Sequence, residues 1–248
     1  MNRPRTQYKK FKVNHRVAKS IIQKSCRQKR DSLLDLETFE LLNAYGFPML
    51  PMKLCKDAEE ACVAAEKIGY PVVIKVSSPD ILHKIDVGGV RLNLNSKKEV
   101  EKAVKELFSE VRRRKSNADI RGVLVQKMAE KGREVILGLK RDPQFGPILM
   151  FGLGGTYVEV MKDVTFRIAP IRELGTFNMI RSIKSYKILE GVRGEKPADM
   201  KKIAECIARL SQLAVECPEI EELDINPLLV YDQGKGCAVL DARILLSK

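Results

Sequence analysis

His83 is one of only two histidines in the chain, and it sits in VIKVSSPDILHKIDVGGVRLNL (73–94). An imidazole nitrogen is nucleophilic near neutral pH and can carry a covalent intermediate. Lys84 and Asp86 flank it closely, and Gly88-Gly89 closes the stretch before the next apolar run. Lys84 could offset phosphate charge and Asp86 could orient the ring. The backbone at Gly88 and Gly89 could approach an anion, although most glycine pairs are only turns. Lys75 lies inside the apolar run PVVIKV, where an unpaired ammonium is unfavourable. It should reach an anion at the sheet end or extend to water as an edge lysine.

A second constellation is ELDINPLLVYDQGKGCAVLDARI (222–244). Asp224, Asn226 and Leu228 alternate onto one strand face. If Gln233-Gly234 closes a two-residue hairpin, Asn226 falls opposite Asp241 on the neighbouring strand. A carboxylate and an amide oxygen on rigid strands suit Mg²⁺, which completes its shell with water and nucleotide phosphates. The alternative is that Asn226-Pro227 ends a strand and Asp241 caps a turn. A third stretch, RDPQFGPILMFGLGGTYVEV, runs a buried strand into Gly154 and Gly155 and then to Glu159. A glycine turn there can receive a phosphoryl group or be an ordinary tight turn. Upstream, Glu134 follows the segment Gln126–Met128, which could present backbone groups to an adenine edge.

The elements that hold these residues read as α+β. Helices are expected over 16–30, 35–45, about 57–68, about 96–111, 173–182 and a long stretch opened by Pro197. Strands are expected at 49–54, 71–76, 90–94, 122–128, 133–141 and 147–154. Further strands follow near 157–160, 164–169, 220–231 and 236–246. A boundary near 115–122 would divide the chain into two α/β lobes.

The net charge of +13 is concentrated at one end. Residues 1–30 hold eleven basic residues and no acid, leaving 31–248 at only +2. A basic arm of this kind could touch RNA, an anionic membrane or an acidic partner, or be a solvated extension. The near-neutral remainder, and the absence of Trp, weigh against a nucleic-acid-binding module. The six cysteines have no zinc spacing and read as reduced core residues. No apolar run is long enough for a membrane span, and no secretory signal opens the chain, so a soluble cytoplasmic protein is expected.

With these motifs in order, the chain resembles the β subunit of the ADP-forming acetyl-CoA (acyl-CoA) synthetases, built on an ATP-grasp fold. The resemblance runs from about Val17 to Leu246. It is carried by GYPVVIKVSSPDILHKIDVGGVRLNL, GREVILGLKRDPQFGPILMFGLGGTYVEVMKDVTFRIAPI, GVRGEKP and ELDINPLLVYD…AVLDARI. Similarity to succinyl-CoA synthetase β subunits is weaker and lies mainly in INPL and the later aspartate. The resemblance implies a basic arm over 1–16, an N-terminal lobe over 17–120 and a C-terminal lobe over 121–248, with the nucleotide site between the lobes. It implies phosphoryl transfer between a phosphohistidine at His83 and ADP or ATP, with Mg²⁺ on Asn226 and Asp241. Lys75 would bind nucleotide, and Gln126, Lys127 and Met128 would form the adenine linker. Glu134, Gly154, Gly155 and Glu159 would lie near the phosphates.

The resemblance further implies a partner α subunit, carrying the CoA site and a first phosphohistidine, in an α2β2 assembly. Two features depart from the family's pattern. Ile85 stands where relatives often have a hydroxyl residue, which bears on transfer rate or acyl range. The arm before Val17 has no counterpart in the common pattern. A nucleotide-binding regulatory subunit without transfer activity is a further reading, which retention of His83, Asn226 and Asp241 opposes.

Overall fold

A computed structural model describes residues 9–81, 83–155, 163–192 and 194–247. The chain forms two compact units, and neither is contiguous in sequence. The smaller comprises 34–36 and 50–130; the larger comprises the N-terminal segment to Leu33, 37–49 and 131 onward. The division therefore falls near residue 130, and most of the N-terminal helical region groups with the C-terminal unit. The expected boundary near 120 would have cut off β4 (Gly122–Lys127), which is hydrogen-bonded into the smaller unit's sheet.

In the smaller unit β1 (Met52–Cys55), β2 (Val72–Ser77), β3 (Val90–Leu94) and β4 form an antiparallel sheet in the order β1-β4-β2-β3. Helices α3 (Ala58–Ile68) and α4 (Lys97–Arg114) supply its core. Asp57 caps α3 and Ser96 caps α4. The apolar spacing of α4 delivers Val100, Ala103, Val104, Leu107 and Val111 to the same core as Val72, Ile74, Val76, Val123 and Val125. Strand alternation therefore turns Lys75 and Gln126 to the sheet's other face. The register seats Lys75 opposite Leu124 and Gln126 opposite Val73.

In the larger unit α1 (His15–Arg27) and α2 (Asp35–Ala44, whose first two residues group with the smaller unit) precede a six-stranded antiparallel sheet. Its strands are β5 (Arg133–Asp142), β6 (Gly146–Leu153), β7 (Val164–Ile168), β8 (Ile220–Val230), β9 (Cys237–Val239) and β10 (Ala242–Leu246). They run β10-β8-β5-β6-β7, with β9 also paired to β8. Helices α5 (Glu173–Arg181), the short α6 (Tyr186–Glu190) and α7 (Met200–Glu216) also belong to the unit. α7 packs on β5, β6 and β8. One sheet face is thus lined by buried Leu137, Leu139, Leu149, Phe151, Leu223 and Ile225. The opposite face carries the row Arg243–Asp224–Gly138–Met150–Phe166, read directly from the strand register.

Two expectations change in detail, and a third falls on residues that are not described. The last helix begins at Met200, where Asp199 caps it, rather than at Pro197. The stretch 236–246 is two strands interrupted at Leu240-Asp241, and the segment 157–160 lies outside the described residues. The described end of the basic arm is docked: Phe11 exchanges hydrogen bonds with the Gln212 amide, and its ring lies 4.2 Å from the Arg209 guanidinium. Cys26 is exposed and the other five cysteines are buried; all six are unbridged. Among the described residues no helix is long and apolar enough to cross a membrane.

Candidate functional site

The site residues divide between the two units. His83, Lys75, Gly88, Gly89 and Gln126–Met128 belong to the smaller, and Glu134, Gly154, Gly155, Asn226 and Asp241 to the larger. Glu159 lies outside the described residues.

The connection from β2 to β3 presents His83 as an exposed side chain. Its flanks are held at several points. Lys115 Nζ donates to the Asp80 carbonyl, and the Asp119 amide donates to the Asp80 carboxylate. Arg114 donates to the Asp86 carbonyl and Arg91 to that of Gly88. The glycine pair closes the loop instead of offering free amides. Gly88 N donates to the Ile85 carbonyl and Gly89 N to the Lys84 carbonyl. Gly88 has φ +66°, and a Cβ on Gly89 would come 2.5 Å from Val76 Cγ1, so neither position accommodates a side chain. The N–H groups of Gly88 and Gly89 are thus committed within the loop in this arrangement. Lys84 is likewise engaged elsewhere: its ammonium lies 3.0 Å from Asp35 Oδ1, and both side chains are nearly buried. Ile85 is 79% exposed.

The stretch Gln126–Met128 is split by strand alternation. Gln126 is buried, and its side-chain Nε2 has no hydrogen-bond partner among the described residues, a donor suited to an outside acceptor. Lys127 turns the opposite way, and its ammonium donates to the carbonyls of Gly69 and Tyr70. The main-chain N–H groups of Lys127 and Met128 go to Pro51 and Pro71. Of this trio only Gln126 keeps an uncommitted side-chain donor, because Lys127 fastens the turn before β2.

In the larger unit the hairpin register is the one expected. Leu228 pairs with Val239 and Ile225 with Ala242. Between these pairs Asn226 N donates to the Asp241 carbonyl at 3.0 Å. The turn closes with Lys235 N on the Asp232 carbonyl. A residue that local patterns did not reveal fixes this turn. The buried carboxylate of Asp199 accepts from Gly234 N and Gly236 N at 3.0 Å each, while also capping α7.

Asp224 lies one pleat from Asn226. Burial, reinforced by the Glu222 and Asp241 carboxylates and opposed by Arg243, pushes Asp224 up to about 6. A divalent cation would relieve this crowding, and Asp224, Asn226 and Asp241 supply only hard oxygen donors. Among the described residues no group of three or more His, Cys, Asp or Glu could hold a metal alone. Two carboxylates and an amide oxygen are the donor types that Mg²⁺ takes, with water and phosphate completing its shell. Gly154 packs against Glu134: its N–H donates to the Glu134 carbonyl, and a Cβ there would meet the Glu134 backbone at 2.9 Å. Gly155 has φ +80° and lies beside the Glu134 carboxylate.

A family model for the ATP-grasp domain matches residues 24–246. The β subunit of acetate–CoA ligase (ADP-forming) I of Pyrococcus furiosus is 46% identical, over 93% of this chain and 99% of its own length. The 4-hydroxybutyrate–CoA ligase (ADP-forming) of Nitrosopumilus maritimus is 51% identical over 95% of this chain. The chain spans only 34% of the length of that ligase. Among solved structures, acetyl-coenzyme A synthetase 1 of Ca. Korarchaeum cryptofilum, in complex with coenzyme A and Ca-AMPCP, has a TM-score of 0.90 at 45% identity. The match covers 93% of this chain and 100% of that one. The same synthetase with coenzyme A and Mg-AMPPCP, its phosphohistidine segment pointing towards the nucleotide-binding site, has a TM-score of 0.82 at 42% identity over the same shares. The chain belongs to the ATP-grasp domain family and, within it, to the β subunits of the ADP-forming acetate–CoA ligases.

Proposed function

We propose that this chain is the nucleotide-binding β subunit of an ADP-forming acyl-CoA synthetase. The observation that carries the reading is the presentation of His83, exposed on a loop whose flanks are fixed, in a chain that matches a β subunit end to end. In the transfer a phosphoryl group leaves the His83 ring nitrogen as the N–P bond breaks, and a new P–O bond forms to the terminal phosphate of ADP. The products are neutral histidine and ATP, and the reverse direction charges the ring. Both partners are anionic, so the site must offset repulsion between phosphates. Lys75 contributes a positive charge on the sheet face that it shares with Gln126, and the Gln126 amide contributes a donor to nucleotide. Glu134, Gly154 and Gly155 form a close turn suited to phosphate, with Glu159 as a further candidate. Asn226 and Asp241, supported by Asp224, would hold Mg²⁺, whose charge offsets that of the phosphates.

Acyl phosphate formation from acyl-CoA and inorganic phosphate is assigned to a partner α subunit with the CoA site and a first phosphohistidine, in a cytoplasmic α2β2 assembly. The overall reaction is acyl-CoA, ADP and phosphate to carboxylic acid, ATP and CoA. A carboxylic acid is the substrate class, since the relatives are named for acetate, 4-hydroxybutyrate and the trans-feruloyl group.

Labelling with [γ-³²P]ATP and Mg²⁺ tests the reading. His83→Ala should lose the acid-labile, base-stable label on this chain. Label retained at full level in that variant would reject His83 as the carrier.

A further inference from the structure

Two buried thiols meet outside the candidate site. Cys206 lies on α7 and Cys237 opens β9, and their sulfurs are 3.7 Å apart. The two residues are 1% and 7% exposed. The other cysteines turn elsewhere. Cys55 Sγ goes to the Lys53 carbonyl, Cys62 Sγ to that of Lys97 and Cys217 Sγ to the Tyr45 hydroxyl, while Cys26 is exposed. The Cys206–Cys237 contact follows from how α7 meets the hairpin. Asp199 caps the helix and accepts from Gly234 N and Gly236 N. Cys206 comes about two helical turns later on the same side, where it meets the residue after Gly236.

We propose that Cys206 and Cys237 are an oxidative modification site, a dithiol that peroxide closes to a disulfide, fastening β9 to α7. The contact with Cys237, reinforced by burial, raises the Cys206 thiol well above its ordinary range, so Cys206 keeps its proton and directs it at the Cys237 sulfur. Cys237 is the more exposed of the two. The Lys202 ammonium, held charged by Glu205 and in lesser part by Cys237, lies nearby. Thiol reactivity follows exposure and nearby positive charge, so Cys237 meets the oxidant first. Its sulfur takes one peroxide oxygen as the O–O bond breaks, which leaves a sulfenic acid and releases water. The Cys206 sulfur then attacks the Cys237 sulfur, the S–O bond breaks, and a second water leaves with the Cys206 proton. Two thiols are oxidised, one peroxide is reduced and two waters form. The sulfurs close from 3.7 Å to about 2.0 Å. The bond adds a covalent link between α7 and the hairpin that carries Asn226 and Asp241, beside the link that Asp199 already makes. Neither cysteine takes part in the phosphoryl transfer proposed at His83.

The test uses the full-length chain with Cys26→Ser, which removes the exposed thiol and leaves the five buried ones. Hydrogen peroxide is added below the unfolding temperature, and thiols are counted after denaturation. Two of the buried thiols should be consumed, a non-reducing digest should yield Cys206 linked to Cys237, and dithiothreitol should restore the full count. Amide exchange in 228–239 should slow by about tenfold or more in the oxidised chain. Adding Cys206→Ser should stop the reaction at a sulfenic acid on Cys237, trapped there by dimedone. Survival of every buried thiol at a dose that oxidises Cys26 in the unsubstituted chain would overturn the proposal. So would a bond between other cysteines, or a Cys206–Cys237 bond that leaves exchange in 228–239 unchanged. If the Cys206→Ser chain does not fold, the peptide map of the Cys26→Ser chain decides.

Discussion

The His83 loop and the Asn226–Asp241 hairpin place chemical groups by different means. The hairpin relies on a backbone ladder: its pairs follow one register from Val230·Cys237 to Leu245·Glu222, and Asn226 faces Asp241 because the ladder leaves no other option. The His83 loop has no such ladder. It is held by side chains from elsewhere: Asp35, Arg91, Arg114 and Lys115. A ladder distributes its load over many equivalent bonds, whereas each side-chain staple acts at one point and can be undone singly. On the proposed reading, the rigid geometry lies where a divalent cation would need fixed oxygens, and the separable attachments lie where a phosphoryl group would be delivered.

Substitutions can break or sharpen this contrast. The largest effect is expected at the hairpin's donor set: Asp241→Asn should raise the Mg²⁺ concentration for half-maximal nucleotide use by at least about tenfold, the scale felt even for supporting groups of metal sites. An unchanged Mg²⁺ titration would remove Asp241 from that set. Next, Asp199→Ala should lower folding stability by about 2 kcal/mol in denaturant unfolding, because two hairpin amides and a helix cap lose a charged acceptor together. A loss below about 0.5 kcal/mol would show that the ladder holds its register without that carboxylate.

A pH effect comes third. Asp224 is raised from its ordinary 3.8 to about 6, so its contribution to stability is complete below the ordinary value and is lost as pH rises through about 6. Asp224→Asn should flatten the stability profile across that window. Carbon-detected NMR of the metal-free protein should show the Asp224 carboxyl titrating near 6, and Mg²⁺ should move that midpoint down. A midpoint near 3.8 without metal would contradict the crowding. The smallest effect is expected at the loop: Arg114→Ala removes one exposed contact to the Asp86 carbonyl. Amide exchange within 83–89 should accelerate while the unfolding midpoint stays within about 0.5 kcal/mol. Global destabilisation there would mean that the loop is built into the unit like the hairpin.

What sequence could and could not reveal follows the same division. Period-two and period-3.6 patterns located most of the described strands and helices, and the Asn226–Asp241 register followed from turn position alone, since pairing is local and arithmetic. Side-chain partners separated by dozens of residues leave no local signal. Lys84 read as a phosphate partner because Asp35, 49 positions earlier, looked like an ordinary residue at a helix start. The attachment of the Lys127 ammonium to Gly69 and Tyr70 was out of reach for a similar reason, because it depends on strand order. The glycine pair was ambiguous for a related reason. Glycine marks close approach without saying to what, and here the neighbours are Val76, Glu110 and the loop's own carbonyls.

The excursion of residues 34–36 bears on how this protein can be taken apart. A fragment that starts at residue 50 contains every strand of the smaller sheet yet lacks Asp35, so Lys84 would be left as a shielded cation without that counter-charge. Dissection at the apparent seam would therefore yield a piece with a complete sheet and an altered histidine-bearing turn.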